Sequence, residues 1–206
     1  GLEGCRLLGS ELIGFPKDNI LAGGNSSLLL MQQMLTFLFI HGGNEEPWHT
    51  KDRKSFLCPS PGYDRHFRLC EEFSLNMIPV SLTGQGPDIE QIKDLLKTDT
   101  SIEGIWCVPR HSNPTGDIYS EAVTKDLLEL SKEYNFKIFW DNAYAVHDFK
   151  DSPETPNVFE ISNEVGSEDQ IIAFGSTSKI TYAGGGVSFL GLSKGNLKNF
   201  SPFYAS

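Results

Sequence analysis

The chain lacks every common cysteine signature. Cys5, Cys58, Cys70 and Cys107 form no CxxC pair and no metal-finger spacing, so reduced thiols are expected rather than disulfides. The five histidines fall in no HExxH or related ligand pattern. His147, near Asp141 and Asp148, is the nearest approach to a ligand group, and no metal is expected there. Runs of Lys or Arg are also missing, and the net charge is −10, which argues against a nucleic-acid partner. The longest apolar run, Leu28 to Ile40, is broken by Gln32, Gln33 and Thr36 and is too short and polar to span a membrane. Glu3 and Arg6 stand where a leader's apolar stretch would develop, so no secretory leader is expected and the location reads as cytoplasmic. The chain opens on Gly1 without a Met and stops in Pro202-Phe203-Tyr204-Ala205-Ser206; it is expected to be a piece of a longer protein.

What is present is the make-up of a soluble globular protein. A hydrophobic content of 39% with 21% charged residues, over 206 residues, supplies the core of one large domain spanning 1–206. Short apolar runs alternate with helical patterns, the α/β signature. Strands are expected at Ser55–Cys58, Asn76–Ser81, Gly104–Val108, Lys137–Trp140, Gln170–Phe174 and Gly186–Leu190. Helices are expected at Ser26–Ile40, apolar almost all round and so buried, at Asp88–Leu96 with Asp88 as N-cap, and at Ser120–Tyr134 with Ser120 as N-cap. The acidic stretch from Asp148 to Asp169 reads as a surface connection with a single helical turn. Strands this apolar between helices imply a three-layer α/β/α sandwich around a mostly parallel sheet. Ligands of such sheets sit beyond the carboxyl ends of the strands, where Asn113, Asp141 and Lys179 all fall.

The run Ile171-Ile172-Ala173-Phe174 leads into Gly175-Ser176-Thr177-Ser178-Lys179. A lysine fixed just past a buried strand and partly dried can lose its proton and attack a carbonyl carbon. The surrounding hydroxyls and turn N–H groups suit a phosphate. A phosphate and an aldehyde on one small molecule describe pyridoxal phosphate; a solvated lysine in a Ser/Thr turn is the bland alternative. Gly23-Gly24-Asn25-Ser26-Ser27 precedes the first long helix and makes either an anion seat or a plain N-cap by Asn25 or Ser26. Asn113-Pro114-Thr115-Gly116 is a tight turn. Asp141 either caps the turn that follows it or pairs with a pyridine nitrogen. Tyr144 either donates to a ring oxygen or is a half-buried core aromatic. A P-loop is excluded, because no Gly precedes Lys179 and Ile180 stands where Ser or Thr is required. Ser176-Thr177-Ser178-Lys179 also contains Ser-x-x-Lys, but the companion Ser-Asp-Asn and Lys-Thr-Gly motifs of penicillin-recognising enzymes are absent from the sequence.

Taken in order, the Gly-rich turn, Pro61-Gly62-Tyr63, Asn113-Pro114-Thr115-Gly116, Asp141-x-x-Tyr144 and Ser176-x-Ser178-Lys179 resemble the large domain of fold-type-I, pyridoxal-phosphate-dependent class I/II aminotransferases, from about Gly23 to Leu192. The forms Gly24-Asn25-Ser26-Ser27-Leu28 and Ser176-Thr177-Ser178-Lys179-Ile180 are similar to a divergent bacterial aspartate-aminotransferase-like subgroup, sometimes labelled MocR-type or alanine–glyoxylate-aminotransferase-like. The resemblance implies transfer of an amino group from an α-amino acid, aspartate or another acidic one, to a 2-oxo acid. It implies that Lys179 forms the Schiff base and shuttles a proton. It further implies that Asp141 holds the ring nitrogen, that Asn113 and Tyr144 reach the ring oxygen, and that Tyr63 stacks on the ring unless it is a core tyrosine. Ser26, Ser27, Ser176 and Ser178 are implied to surround the phosphate. Typical members also carry an arginine soon after the lysine, and Ile180 to Val187 contains none. Arg110 is a candidate ligand for an acidic substrate or half of a structural ion pair. A homodimer, a C-terminal small domain and an N-terminal closing segment beyond this chain are implied by the resemblance alone. Alternatives are a pyridoxal-phosphate β-lyase or decarboxylase, and a non-catalytic cofactor-sensing module.

Overall fold

Alternation along the strands sets the layers. In β4 (Ile102–Cys107), β5 (Lys137–Asp141) and β6 (Ile171–Ser176), Ile105, Cys107, Ile138, Trp140, Ile171 and Ala173 face one core. Trp106, Phe139, Ile172 and Phe174 face the other, as a period of two dictates. Both faces are therefore buried and both must be covered. The first is covered by α1 (Glu3–Ile13), α4 (Ile89–Thr98), α5 (Glu121–Tyr134) and α6 (Val158–Val165); the second by α2 (Ser27–His41), α3 (Asp64–Glu72) and α7 (Lys194–Ala205). The computed structural model describes residues 2–182 and 184–205.

Among the described residues the sheet has seven strands. With β1 (Ile20–Ala22), β2 (Ser55–Ser60), β3 (Asn76–Ser81) and β7 (Ser188–Gly191), their order is β1-β7-β6-β5-β4-β2-β3. Strands β2 to β6 pair in parallel, and β7 alone runs antiparallel to both its neighbours. The expected three-layer α/β/α sandwich with a mostly parallel sheet is the fold observed. The carboxyl ends of β2, β4, β5 and β6 share one edge, and the site is built there.

Local chemistry accounts for the helix boundaries. Asp88 accepts from the Gln91 N–H at 3.1 Å and Ser120 from the Val123 N–H at 3.3 Å, the two N-caps expected from sequence. Gly14, Gly42 and Gly166 end their helices with positive φ, the left-handed conformation that carries no Cβ penalty in glycine.

Three expectations are corrected. Helix α2 is not buried all round: Leu30, Met31, Met34, Leu35, Phe37 and Leu38 are buried, whereas Leu29 and Ile40 are about half exposed. An outer-layer helix has one face on the sheet, whatever its composition. The stretch from Asp148 to Asp169 holds more than one turn, because Asn157 caps α6 by accepting from the Phe159 and Glu160 N–H groups at 3.1 and 3.3 Å. The last expected strand starts later, at Ser188, because Gly184 and Gly186 adopt φ values of 81° and 93°, which break extended backbone.

Phe139 is fully buried, its ring centroid 4.8 Å from Trp106, 5.4 Å from Phe56 and 5.8 Å from Phe174. Its truncation opens a cavity under the strand that ends in Asp141. Phe139→Ala is expected to cost about 4 kcal/mol in urea unfolding, against about 0.5 kcal/mol or less for Leu29→Ala on the exposed face of α2. Equal effects would contradict this placement of the core.

Candidate active site

The nine residues assigned to the cofactor from the sequence line a single cavity of about 310 Å³: Ser26, Ser27, Tyr63, Asn113, Asp141, Tyr144, Ser176, Ser178 and Lys179. They arrive from the carboxyl ends of β1, β2, β4, β5 and β6. Asn25, Leu28, Met31, Val108, Ala143 and Gly184 complete the wall.

At the floor, Asp141 ends β5 and is only 4% exposed. Its Oδ2 lies 3.0 Å from Nε2 of His66, which is itself 1% exposed. Its Oδ1 is buried with no hydrogen-bond partner. A buried carboxylate oxygen left unbonded is costly and marks a place for a donor. Asp141 therefore spends its bonded oxygen on His66 of the overlying α3, not on capping its own turn.

Sequence reading missed His66. Tyr63, His66 and Cys70 are spaced three and four apart, which puts them on one side of α3. The His66 ring stacks on Trp106 at 4.3 Å and 8°, and Tyr63 meets its edge at 5.1 Å. Behind them the Trp106 indole donates to the Cys70 sulfur at 3.2 Å. A hydrogen bond with Cys58 holds the Cys70 thiol below its ordinary range; burial opposes this and the indole N–H adds to it. All four cysteines are free. The i, i+3 spacing of Tyr63 and His66 was the available signal, but an isolated histidine in a charged segment carries little weight.

The opposite wall is made of turns. The Ser176 and Ser178 hydroxyls are hydrogen-bonded at 2.7 Å. Between them Thr177 is buried; its Oγ1 accepts from the Val187 N–H at 3.0 Å, and its own N–H donates to the Val187 carbonyl at 3.0 Å. A Cβ on Gly186 would fall 2.3 Å from Thr177 Oγ1, so glycine is required by both space and φ. Ser26 occupies the N-cap position of α2 without a side-chain bond to the helix, and the Asn25 amide donates instead to the Gly184 carbonyl at 2.7 Å. Neither candidate cap closes the helix end, so its first N–H groups stay open to an anion beside four serine hydroxyls.

Lys179 is exposed rather than partly dried, because it sits on the turn beyond β6 at the mouth of the cavity. Its Nζ lies 4.7 Å over the Tyr144 ring and donates to the Tyr144 hydroxyl at 3.4 Å. Asn113 is exposed on its turn, which Gly116 closes with φ 81° and an N–H bond to the Ser112 carbonyl at 2.6 Å. Arg110 does not line the cavity; it is buried in a two-point ion pair with Asp148, its Nε donating to Oδ1 at 2.6 Å. Of its two expected roles, the structure holds the ion pair. Among the described residues no three His, Cys, Asp or Glu side chains are grouped to hold a metal, and His147 packs its ring edgewise on Tyr144. No helix of the described residues is long and apolar enough to cross a membrane.

A doubly covered, mostly parallel sheet that gathers a lysine, a buried carboxylate and hydroxyls at its carboxyl edge is the arrangement of a fold-type-I aminotransferase domain. The family described as aspartate amino-transferase matches residues 1–205, and the chain belongs to it. A Mycolicibacterium smegmatis protein named as a candidate aminotransferase is 43% identical over 96% of this chain and 47% of its own length. The aspartate aminotransferase of Corynebacterium glutamicum is 39% identical over 96% of this chain and 46% of its own length. The crystal structure of an aspartate transaminase from C. glutamicum superposes with a TM-score of 0.92 at 38% identity, covering 100% of this chain and 50% of that one. The chain thus spans about half the length of the curated relatives it matches. The family implies pyridoxal phosphate as cofactor.

His66→Leu leaves both oxygens of a buried carboxylate unbonded. A loss of about 2 kcal/mol is expected in urea unfolding of the cofactor-free protein, and Asp141→Leu in the same background is expected to recover part of it. Unchanged stability in His66→Leu would mean that the histidine does not hold Asp141.

Proposed function

We propose that this chain is the cofactor platform of a pyridoxal-phosphate-dependent aminotransferase, moving an amino group from an α-amino acid, aspartate or another acidic one, to a 2-oxo acid. The observation that carries the reading is that Asp141, whose buried Oδ1 has no hydrogen-bond partner, lines the same cavity as Lys179. A protonated pyridine nitrogen is a donor that satisfies such an oxygen, and Lys179 is the only cationic side chain among the cavity's described lining residues. The residues present therefore fit the cofactor that the family implies. In this reading residues 1–206 form the cofactor-binding large domain of a cytoplasmic homodimer. The free thiols suit that compartment, and the relatives' greater length suits a larger whole.

When bound, the cofactor supplies an electron sink for the bonds at a substrate's Cα. Asp141 would keep the ring nitrogen protonated, with His66 bonded to its other oxygen fixing the carboxylate's orientation. Asn113 and Tyr144 would hydrogen-bond the ring oxygen, and Tyr63, packed against His66, would serve as the aromatic wall for the ring. The Ser26, Ser27, Ser176 and Ser178 hydroxyls and the open N–H groups of α2 take the phosphate, in place of the arginine that the segment after Lys179 lacks. Lys179 holds the cofactor between turnovers. Its Nζ would be the group placed to carry a proton in the reaction, with the Tyr144 hydroxyl within reach of the same nitrogen.

Lys179→Ala in the full-length protein is expected to lower transamination by at least about a thousandfold, measured as 2-oxo-acid-dependent loss of aspartate. Activity within tenfold of wild type would refute the assignment of Lys179. Loss of amino acid without any dependence on a 2-oxo acid would favour elimination or decarboxylation over transfer.

A further inference from the structure

Two loops deliver Asn113 and Tyr144 to the cavity, the first following β4 and the second following β5. Neither belongs to the sheet, yet side chains that contact a flat ring must be fixed to a fraction of an ångström. Arg110 lies three residues before Asn113, and Asp148 four residues after Tyr144. The Arg110 Nε donates to Asp148 Oδ1 at 2.6 Å while its Nη2 meets Oδ2, a two-point fork. His111 Nε2 lies 3.3 Å from the same Oδ1, and the His111 ring packs edgewise on Phe149 at 5.9 Å. Among the described residues, every hydrogen bond and ion pair between these two loops ends on Asp148. His111 is held at φ 47°, a left-handed conformation that a histidine keeps only when its surroundings enforce it.

We propose that Arg110 and Asp148 form a clamp that positions Asn113 and Tyr144 toward the cofactor, acting only through those two side chains. The proposal rests on the reading that the cavity seats pyridoxal phosphate. Arg110 is buried, lies off the cavity wall, and has both arms of its fork on a carboxylate of its own chain, so an acidic substrate would first have to displace Asp148. Burial pushes the Asp148 carboxyl upward, but the Arg110 hydrogen bond and charge, with His111 behind them, outweigh it and hold it below the usual carboxylate range. The clamp is therefore closed throughout the neutral range. With the cofactor bound, Asn113 and Tyr144 would donate to its ring oxygen, and looser donors would move the pH midpoint of its visible absorbance upward.

The test uses the full-length protein with Asp148→Asn and, as a second variant that keeps the positive charge but loses the fork, Arg110→Lys. Backbone hydrogen exchange of residues 108–119 and 142–153 is read without cofactor. The pH midpoint of the visible absorbance is read after adding pyridoxal phosphate. Exchange is expected to rise on the order of tenfold in both loops and the midpoint to move up by about one pH unit, with borohydride still fixing the cofactor to Lys179. Unchanged exchange, or faster exchange with an unchanged midpoint, would overturn the clamp. So would a raised KM for an acidic amino acid with both readouts unchanged, which would make Arg110 a substrate ligand. A wild-type protein with no visible band refutes the cofactor reading itself and the clamp's role with it; a wild-type band with unaltered variants refutes the clamp alone.

Discussion

A carboxylate taken out of water has to be bonded on both oxygens or be stabilised by what later binds beside it. Asp141 has one oxygen bonded and the other without a hydrogen-bond partner. Its strand lies between β4 and β6, and the side chain is buried at the floor of the cavity. His66 satisfies one oxygen, and the stack of His66 on Trp106, with the indole bonded to Cys70, keeps that histidine from turning away. The free oxygen is a fixed acceptor in a dry setting, where a charge-assisted bond is stronger than in water.

The site divides into a rigid half and a fastened half. Asp141, Ser176 and the start of α2 belong to regular secondary structure, Asp141 buried and the others half-buried. Asn113, Tyr144 and Lys179 stand on turns, where conformation is held by a few specific contacts: Gly116 closing one turn, Thr177 gripping the backbone of Val187 across Gly186, and the Arg110–Asp148 pair joining two loops. Asp141 thus stands on a buried strand and Lys179 on an exposed turn, where the backbone has more local freedom.

The central fold was legible because its strands are apolar on both faces and its connecting helices carry caps; Asn76–Ser81 matches the observed strand at both ends, and Asp88 and Ser120 cap as read. The nine cavity residues were legible because each stands beside a turn residue or at a strand end, where chain direction alone predicts convergence. Helix α3 was not seen, since Asp64–Glu72 is mostly charged and buries only His66, Leu69 and Cys70. Strand β1 escaped because three residues carry no period. His66 and Asp148 matter only through partners far off in sequence, at Asp141 and Arg110, and pairing between helix and strand or between loops leaves no local pattern. The exposure of Lys179 was misjudged for a related reason: strand burial ends at β6, and the turn that follows it obeys different constraints.

The most direct measurement is an absorbance spectrum of the purified full-length protein with pyridoxal phosphate, before and after borohydride, followed by peptide mapping. The structure predicts a visible band that reduction abolishes and a single modified peptide carrying the adduct on Lys179. A protein that stays colourless and unmodified, or an adduct on any other lysine, would contradict the account.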